Sequence, residues 1–271
     1  MGSSPNAITQ AGNLYMFVMH NPVRWNDPTG LFAVLAEYIA LKNGGFMWSI
    51  TCSSGVNNSV TIQIGDIVRT FSGSDISFSH GRFTIDHSIL MSEFGLSFEQ
   101  ATHRPWDWFS SMECAAIAFS LMHTDLATEI NREIGAMIYS VRTGSIRNPD
   151  VHYTFGAAWT GGENDVILGL LLRSGGGLVG ERGRPFRSCI AALAHTHPVG
   201  ARNFSQEDRN IAHGVYHFGM DFVFIGVPAM PVFMSVNLSA EQGGGMEVRV
   251  FDSSMDRTAH AQRGGRLIFS R

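Results

Sequence analysis

Two histidines one residue apart, with a carboxylate a short distance behind them, are the residues of this chain best suited to chemistry. His195 and His197 end an apolar run, and Asp208 closes the segment Ser205-Gln206-Glu207-Asp208. Side chains of an extended strand alternate between its two faces. We therefore expect both imidazoles on one side, at the exit of a strand that Pro198 ends, because proline cannot donate to a ladder.

Ser205 and Asp208 have the spacing of a capping box, in which an N-cap serine and an acidic N3 residue bond each other's backbone N–H. The pattern predicts a helix beginning at Ser205 that presents Asp208 beside the strand end. Two imidazoles and a carboxylate suit catalytic zinc, which leaves a fourth position to water. The spacing thus predicts a zinc site of His195, His197 and Asp208. The alternative is a capped helix after a strand with two incidental histidines.

The complete string is His-x-His-Pro, a spacer of six residues and Ser-x-x-Asp. It resembles the signature of the JAB/MPN/JAMM metallopeptidases. The resemblance implies that His195, His197 and Asp208 are the zinc ligands and that Ser205 is the family's conserved serine, placed to stabilise the oxyanion. It also implies a glutamate on an earlier strand that acts as the general base.

Glu133 is the best match to this glutamate. It precedes the apolar, glycine-containing run Ile134–Tyr139, similar to a Glu-x-Gly segment in JAB-related domains of bacterial polymorphic toxins. Many JAMM proteins place the glycine one residue further along. The alternative for Glu133 is a solvated residue at a strand start. The rival candidates are Glu113, Glu129 and Glu163. Of these, Glu113 is better explained as a helix-cap partner, and Glu163 lies in a Gly-Gly turn.

The pattern of segments predicts an α/β (α+β) chain. In 108–271, Ser110-x-x-Glu113 predicts a capped helix with an apolar stripe, and a helix that carries His213 and His217 is predicted from Ser205. Predicted strands there are Glu133–Val141, Val151–Trp159, Val166–Leu172, Phe222–Val227, Val232–Leu238 and Met246–Phe251. A mixed sheet flanked by helices is what the JAB/MPN resemblance implies. Residues 32–107 predict a helix, Phe32–Leu41, followed by a small β-rich region.

The segment 1–31 has a different character, with turn signals at Asn21-Pro22 and Asp27-Pro28-Thr29-Gly30. Its string resembles the end of the core of Rhs-type polymorphic toxins, which forms a shell around a variable toxin. The resemblance implies cleavage after Leu31, with Asp27 as a participating aspartate. It further implies a cognate immunity protein, the Rhs core shell as partner before release, and delivery by a bacterial secretion system into the cytoplasm of a target cell.

Composition limits the partners. The net charge is −4 and the only basic cluster is Arg182, Arg184 and Arg187, so nucleic acid is not expected. No apolar run approaches the roughly 20 residues of a membrane span, and the N-terminus lacks the pattern of a signal peptide. The three cysteines are widely spaced, and we expect reduced thiols.

Other histidine and glycine clusters are expected to be structural. His80, Asp86 and His87 match no ligand spacing, and His213 and His217 lack the glutamate of a His-Glu-x-x-His helix. The glycine-rich run 174–177 lacks the Gly-Lys-Ser/Thr of a phosphate-binding loop, and its place before the histidine strand suggests a lid.

These observations predict a zinc metallopeptidase of JAB/JAMM type acting as a toxin on peptide or isopeptide bonds, with ubiquitin-like conjugates among its possible protein substrates. Two alternatives remain open from the sequence. One is an MPN-like scaffold that binds partners without catalysis, and the other is a metal-dependent nuclease toxin.

Overall fold

A computed structural model describes residues 33–50, 59–79, 82–104, 106–145, 147–160, 172–173, 177–178, 185–198, 202–218, 222–225 and 229–270. The chain forms two compact units, Met1–His103 and Arg104–Arg271. The expected segment 1–31, with Asp27 and Leu31, lies outside the described residues. The second unit begins shortly before the boundary expected at 107/108.

The first unit has two three-stranded antiparallel sheets, in the orders β1-β6-β5 and β2-β3-β4, as the β-rich pattern predicts. Its strands are β1 (Ala33–Leu35), β2 (Phe46–Ile50), β3 (Ser59–Ile64), β4 (Ile67–Ser72), β5 (Ile76–Ser79) and β6 (Arg82–Asp86). Its helices are α1 (Ala36–Lys42), α2 (His87–Phe94) and α3 (Phe98–Ala101). The helix expected over Phe32–Leu41 was wrong at its start, because buried Val34 pairs with Ile85 in a ladder.

The second unit, where described, contains the helices α4 (Met112–Ile130) and α5 (Gln206–Ala212). Its strands are β7 (Ile134–Gly144), β8 (Pro149–Phe155), β9 (Trp159–Thr160), β10 (Leu172–Arg173), β11 (Gly177–Leu178), β12 (Ser188–His197), β13 (Val215–Phe218), β14 (Phe222–Ile225), β15 (Val232–Asn237), β16 (Met246–Phe251) and β17 (Arg266–Ser270). The chain therefore has the predicted mixed α/β content.

A seven-stranded sheet organises this unit in the order β17-β16-β15-β12-β7-β8, and β9 pairs with the start of β7. Only β12 and β15 run parallel among these neighbours. One face carries α4, whose Thr124 hydroxyl bonds that of Ser235 on β15 at 2.8 Å. The other face buries an apolar cluster that includes Met137, Leu193 and, from α5, Ile211. The β12 strand is thus central, with a helix on each side.

Local chemistry changed several predicted boundaries. The N-cap of α4 is Ser111, whose hydroxyl accepts the N–H of Cys114, rather than Ser110. The helix beginning at Ser205 was expected to reach His217, but it ends at Ala212 because Gly214 turns the chain with φ +72°.

The predicted strand set also differs from the observed one. The strand expected at 222–227 forms β14, which pairs with β13 outside the main sheet, while β17 was not predicted. Most of the predicted strand Val166–Leu172 and of the run 174–177 lies outside the described residues. No helix in the described part of the chain is long and apolar enough to span a membrane.

At the end of the first unit, His103 packs edge-on against the ring of Tyr38, with centroids 4.4 Å apart. Its Nε2 atom is buried, and the Lys42 ammonium, which donates to the Thr102 carbonyl at 2.7 Å, lies close by. Burial first, and the lysine charge second, lower the pKa of His103 from 6.5 to about 3.

The first unit should therefore lose stability in acid. Between pH 6.5 and about 3, His103 is protonated in the unfolded chain but neutral in the folded one. The free energy of unfolding therefore decreases as the pH falls through that window. Denaturant unfolding of the wild type and His103→Phe should diverge below pH 6.5 by up to about 1.4 kcal/mol per pH unit. Equal pH slopes for the two proteins would contradict this assignment.

Candidate metal centre

The β12 strand places two imidazoles on one face of the sheet. Leu193, His195 and His197 alternate with Ala194 and Thr196, so the histidines share the face of the buried apolar cluster and Leu193 belongs to that cluster. Both imidazole residues are nearly enclosed, with 7% of His195 and 8% of His197 exposed. The strand thus delivers the pair to the sheet end as the sequence predicts.

A β-bulge sets which residues share this face. Along the pairing of β12 with β7, Ile190 lies opposite Tyr139 and Ala192 opposite Ile138, so Ala191 is an extra residue. An extra residue shifts the alternation of side chains by one. Ile190 and Leu193 consequently both pack on the apolar cluster, although they are three positions apart and regular alternation would place them on opposite faces. The side-chain alternation that begins after the bulge places His195 and His197 on the same face as Leu193.

The start of α5 brings the carboxylate. Ser205 is the N-cap, its hydroxyl accepts the N–H of Asp208 at 3.1 Å, and its own N–H donates to Asp208 Oδ2 at 2.9 Å. This is the capping box expected from the sequence. Phe204, buried just before the cap, packs 6.4 Å from the His195 ring and 5.7 Å from Phe251. The helix start is therefore anchored beside the first histidine.

The three predicted ligands lie close together. His195 Nε2 is 3.2 Å from His197 Nε2 and 3.7 Å from Asp208 Oδ2, and one ligand atom from each residue lies within 4.8 Å of the others. Metal–nitrogen bonds of 2.0–2.1 Å at tetrahedral angles separate ligand atoms by about 3.3 Å. The spacing and the donor types, two imidazole nitrogens and a carboxylate oxygen, therefore fit a metal ion such as zinc.

Glu133 joins this group from the neighbouring strand. It directly precedes β7, and its Oε1 lies 3.5 Å from His197 Nε2. Only 8% of the residue is exposed, so Glu133 is not the solvated strand-start residue considered as its alternative. A buried carboxylate on the His197 side and Asp208 on the His195 side flank the two imidazoles.

The rival residues lie in other environments. Glu129 is exposed on α4. Glu113 is not the cap partner that the sequence predicts, because the N-cap of α4 is Ser111 and its hydroxyl accepts the N–H of Cys114; Glu113 lies 3.9 Å from Arg266. His213 is the C-cap of α5 and its Nε2 lies 2.7 Å from the Met255 carbonyl, while His217 lies in β13. Glu163, His80, Arg182 and Arg184 lie outside the described residues.

Two further residues border the site, of which Gly135 was noted in the sequence only as part of the Glu-x-Gly segment and Arg209 was not singled out. Gly135 lies directly opposite His195 in the ladder, and opposite residues project to the same face, so a side chain there would enter the site. Arg209 is buried and donates to the Phe204 carbonyl at 2.9 Å and to Gln206 Oε1 at 2.6 Å, which fastens the helix start around Ser205. Only the strand register and the helix geometry identify them.

The positive charge of Arg209 is buried and lies near a second guanidinium, that of Arg263. Burial first, and the neighbouring Arg263 guanidinium second, lower its pKa, while Asp208 and Glu207 raise it. An arginine remains protonated under such conditions. The Arg209 cation therefore adds positive potential near Asp208.

Comparison of the chain with protein-family models, curated proteins and solved structures gives no match. The assignment of the site consequently depends on its own geometry and chemistry.

The chain should bind one divalent ion through the three ligands. His197→Ala is expected to weaken metal affinity at least about 100-fold, because loss of an outer partner alone typically costs 10–100-fold. Elemental analysis after dialysis against a metal buffer measures this. His152→Ala is the control, since His152 stacks on exposed Trp108 away from the three ligands. Metal retained by His197→Ala would contradict the assignment.

Ser205→Ala tests whether the capping box also holds the ligand. Loss of an N-cap serine costs about 1 kcal/mol of unfolding free energy, and here it also removes the acceptor of the Asp208 backbone N–H, leaving the carboxylate held only by the N–H of residue 205. We expect metal affinity to fall about tenfold. Ser111→Ala, which removes the cap of α4 in the same unit, should cost similar stability and leave metal affinity unchanged. Equal metal affinities for the two variants would show that the Ser205 cap does not position Asp208.

Proposed function

We propose that the chain is a zinc-dependent hydrolase of peptide or isopeptide bonds, similar to the JAMM metallopeptidases. The observation that supports this most is the convergence of three ligand side chains with a fourth, carboxylate side chain beside them. His195, His197 and Asp208 would hold the ion, and Glu133 is the general base. When bound, zinc polarises a carbonyl and lowers the pKa of a water ligand to about 7.

Glu133 would move the protons in this reaction. Its carboxylate lies 3.5 Å from the Nε2 atom of His197, so a water molecule beside that ligand is within its reach. The carboxylate takes a proton as the water oxygen bonds to the carbonyl carbon. It returns the proton to the amine nitrogen as the C–N bond breaks. The atoms of one water molecule are thereby divided between the new acid and the amine.

Ser205 supplies the second polar contact. Its hydroxyl oxygen accepts the N–H of Asp208, which leaves the hydroxyl proton available for donation. Donation to the developing oxyanion strengthens as charge forms, and removing such a donor typically costs 10²–10³ in kcat. The capping box fixes the direction of this hydroxyl relative to Asp208.

The biological setting follows from the resemblances of the sequence. We propose that the hydrolase is the cargo of an Rhs-type polymorphic toxin, cut from the core shell after Leu31 with participation of Asp27. A bacterial secretion system would deliver it into the cytoplasm of a target cell, where protein substrates, ubiquitin-like conjugates among them, are cleaved. A cognate immunity protein would protect the producing cell.

Replacement of Glu133 tests the proposed chemistry. Glu133→Gln keeps the size and loses the base, so we expect hydrolysis to fall by about 10²–10⁴-fold while the zinc content stays at one ion per chain. The measurement is mass spectrometry of a proteome-derived peptide library incubated with the zinc-loaded full chain.

Glu129→Gln is the matched control, because Glu129 is exposed and the same change there should leave hydrolysis unaltered. Bound zinc without cleavage by the wild type would favour a binding scaffold. Degradation of DNA or RNA that depends on Glu133, with no peptide cleavage, would instead favour a nuclease and overturn the proposal.

A further inference from the structure

Thr196 lies between the two ligand histidines but on the opposite face of β12. It is fully buried, and its Oγ1 accepts the backbone N–H of Ile134 at 3.1 Å. Ile134 and Thr196 also form the last pair of the ladder between β7 and β12. A side-chain hydroxyl therefore closes this ladder at the end where the site lies.

Glu133 is the residue immediately beyond this closure. It precedes β7, so its backbone has left the ladder, and its side chain reaches His197 Nε2 at 3.5 Å. The peptide bond that joins Glu133 to Ile134 is planar, so the N–H that Thr196 holds belongs to the same rigid unit as the Glu133 carbonyl. The Thr196 hydroxyl thus restrains the backbone of Glu133 directly.

One short segment of β12 both carries the two candidate ligand histidines and contacts the backbone next to Glu133. The neighbours of Thr196 along the chain are the ligands His195 and His197, and its side chain fixes the residue next to Glu133. Any drift of β7 against β12 would change the separation of the base from the ligands. The contact between the Thr196 hydroxyl and the Ile134 N–H lies at the last pair of this ladder before Glu133.

We propose that Thr196 is a positioning residue that holds Glu133 in register with the ligand histidines. This inference rests on the proposed function, in which Glu133 is the general base. Small displacements of catalytic groups are costly, since a shift of about 1 Å can lower a rate 10²-fold. Thr196 itself touches neither substrate nor metal.

Two substitutions separate the hydroxyl from the bulk of the side chain. Thr196→Val keeps the branched shape and removes Oγ1, whereas Thr196→Ser keeps the oxygen and removes the methyl group. In Thr196→Val we expect kcat to fall about 10- to 100-fold with KM unchanged and one zinc ion retained, because only the chemical step uses Glu133. Thr196→Ser should keep kcat within about threefold of the wild type. The substrate is a fluorogenic peptide carrying the sequence that the wild type cleaves fastest in the library.

Hydrogen exchange at the Ile134 amide gives a readout that needs no activity. Loss of its acceptor should speed exchange about 5- to 30-fold in Thr196→Val and leave Thr196→Ser near the wild type. An unchanged exchange rate in Thr196→Val would show that the Thr196 hydroxyl does not hold the Ile134 N–H, and it would overturn the proposal. Faster exchange with unchanged kcat, or with zinc lost, would overturn the positioning role. Faster exchange in a chain whose wild type cleaves no peptide would show that the proposed function, and with it this role, is wrong although the contact exists.

Discussion

The pairing of β12 with β7 is the constraint on which the candidate site depends. Antiparallel neighbours hold their backbones about 4.8 Å apart, and the register decides which side chains meet. Here the register sets Gly135 opposite His195 and Ile134 opposite Thr196. The two histidines therefore lie on β12 beside Glu133, which directly precedes the neighbouring strand β7, and a slip of one residue would turn the histidines to the α4 face. Because of the bulge at Ala191, Ile190 before it and Leu193 after it both pack on the apolar cluster.

The capping box at α5 both starts the helix and orients a candidate metal ligand. A helix start needs acceptors for its unpaired N–H groups, and Ser205 supplies one while Asp208 accepts in return. The same Oδ2 atom faces His195 at 3.7 Å. The carboxylate can do both because it has several lone-pair sites. The start of the helix thus orients the carboxylate of Asp208. Arg209 stabilises this helix start by donating hydrogen bonds to Phe204 and Gln206.

Local signals in the sequence were enough to predict the three candidate ligands and the presence of most helices and strands. The His-x-His alternation and the Ser-x-x-Asp box depend only on neighbouring residues, so they predicted His195, His197 and Asp208 together. Features that depend on pairing could not be read in this way. Trp159 joins the start of β7 through β9, and β14 leaves the main sheet, because tertiary contacts decide strand partners. The proposed role of Thr196 and the position of Gly135 opposite His195 depend on the register, so the sequence alone did not predict them.

Charge explains why this arrangement calls for a cation. Glu133 and Asp208 bring two carboxylates to a largely enclosed place, and the Nε2 atoms of His195 and His197 approach within 3.2 Å. Buried charges are costly unless they are paired or bind metal. Neutral imidazoles each offer one nitrogen lone pair, so two facing nitrogens repel unless a proton or a cation lies between them. A divalent ion balances both carboxylates at once and accepts both lone pairs, whereas a shared proton balances only one charge. The donor set is therefore better matched to a metal ion than to an internal hydrogen bond.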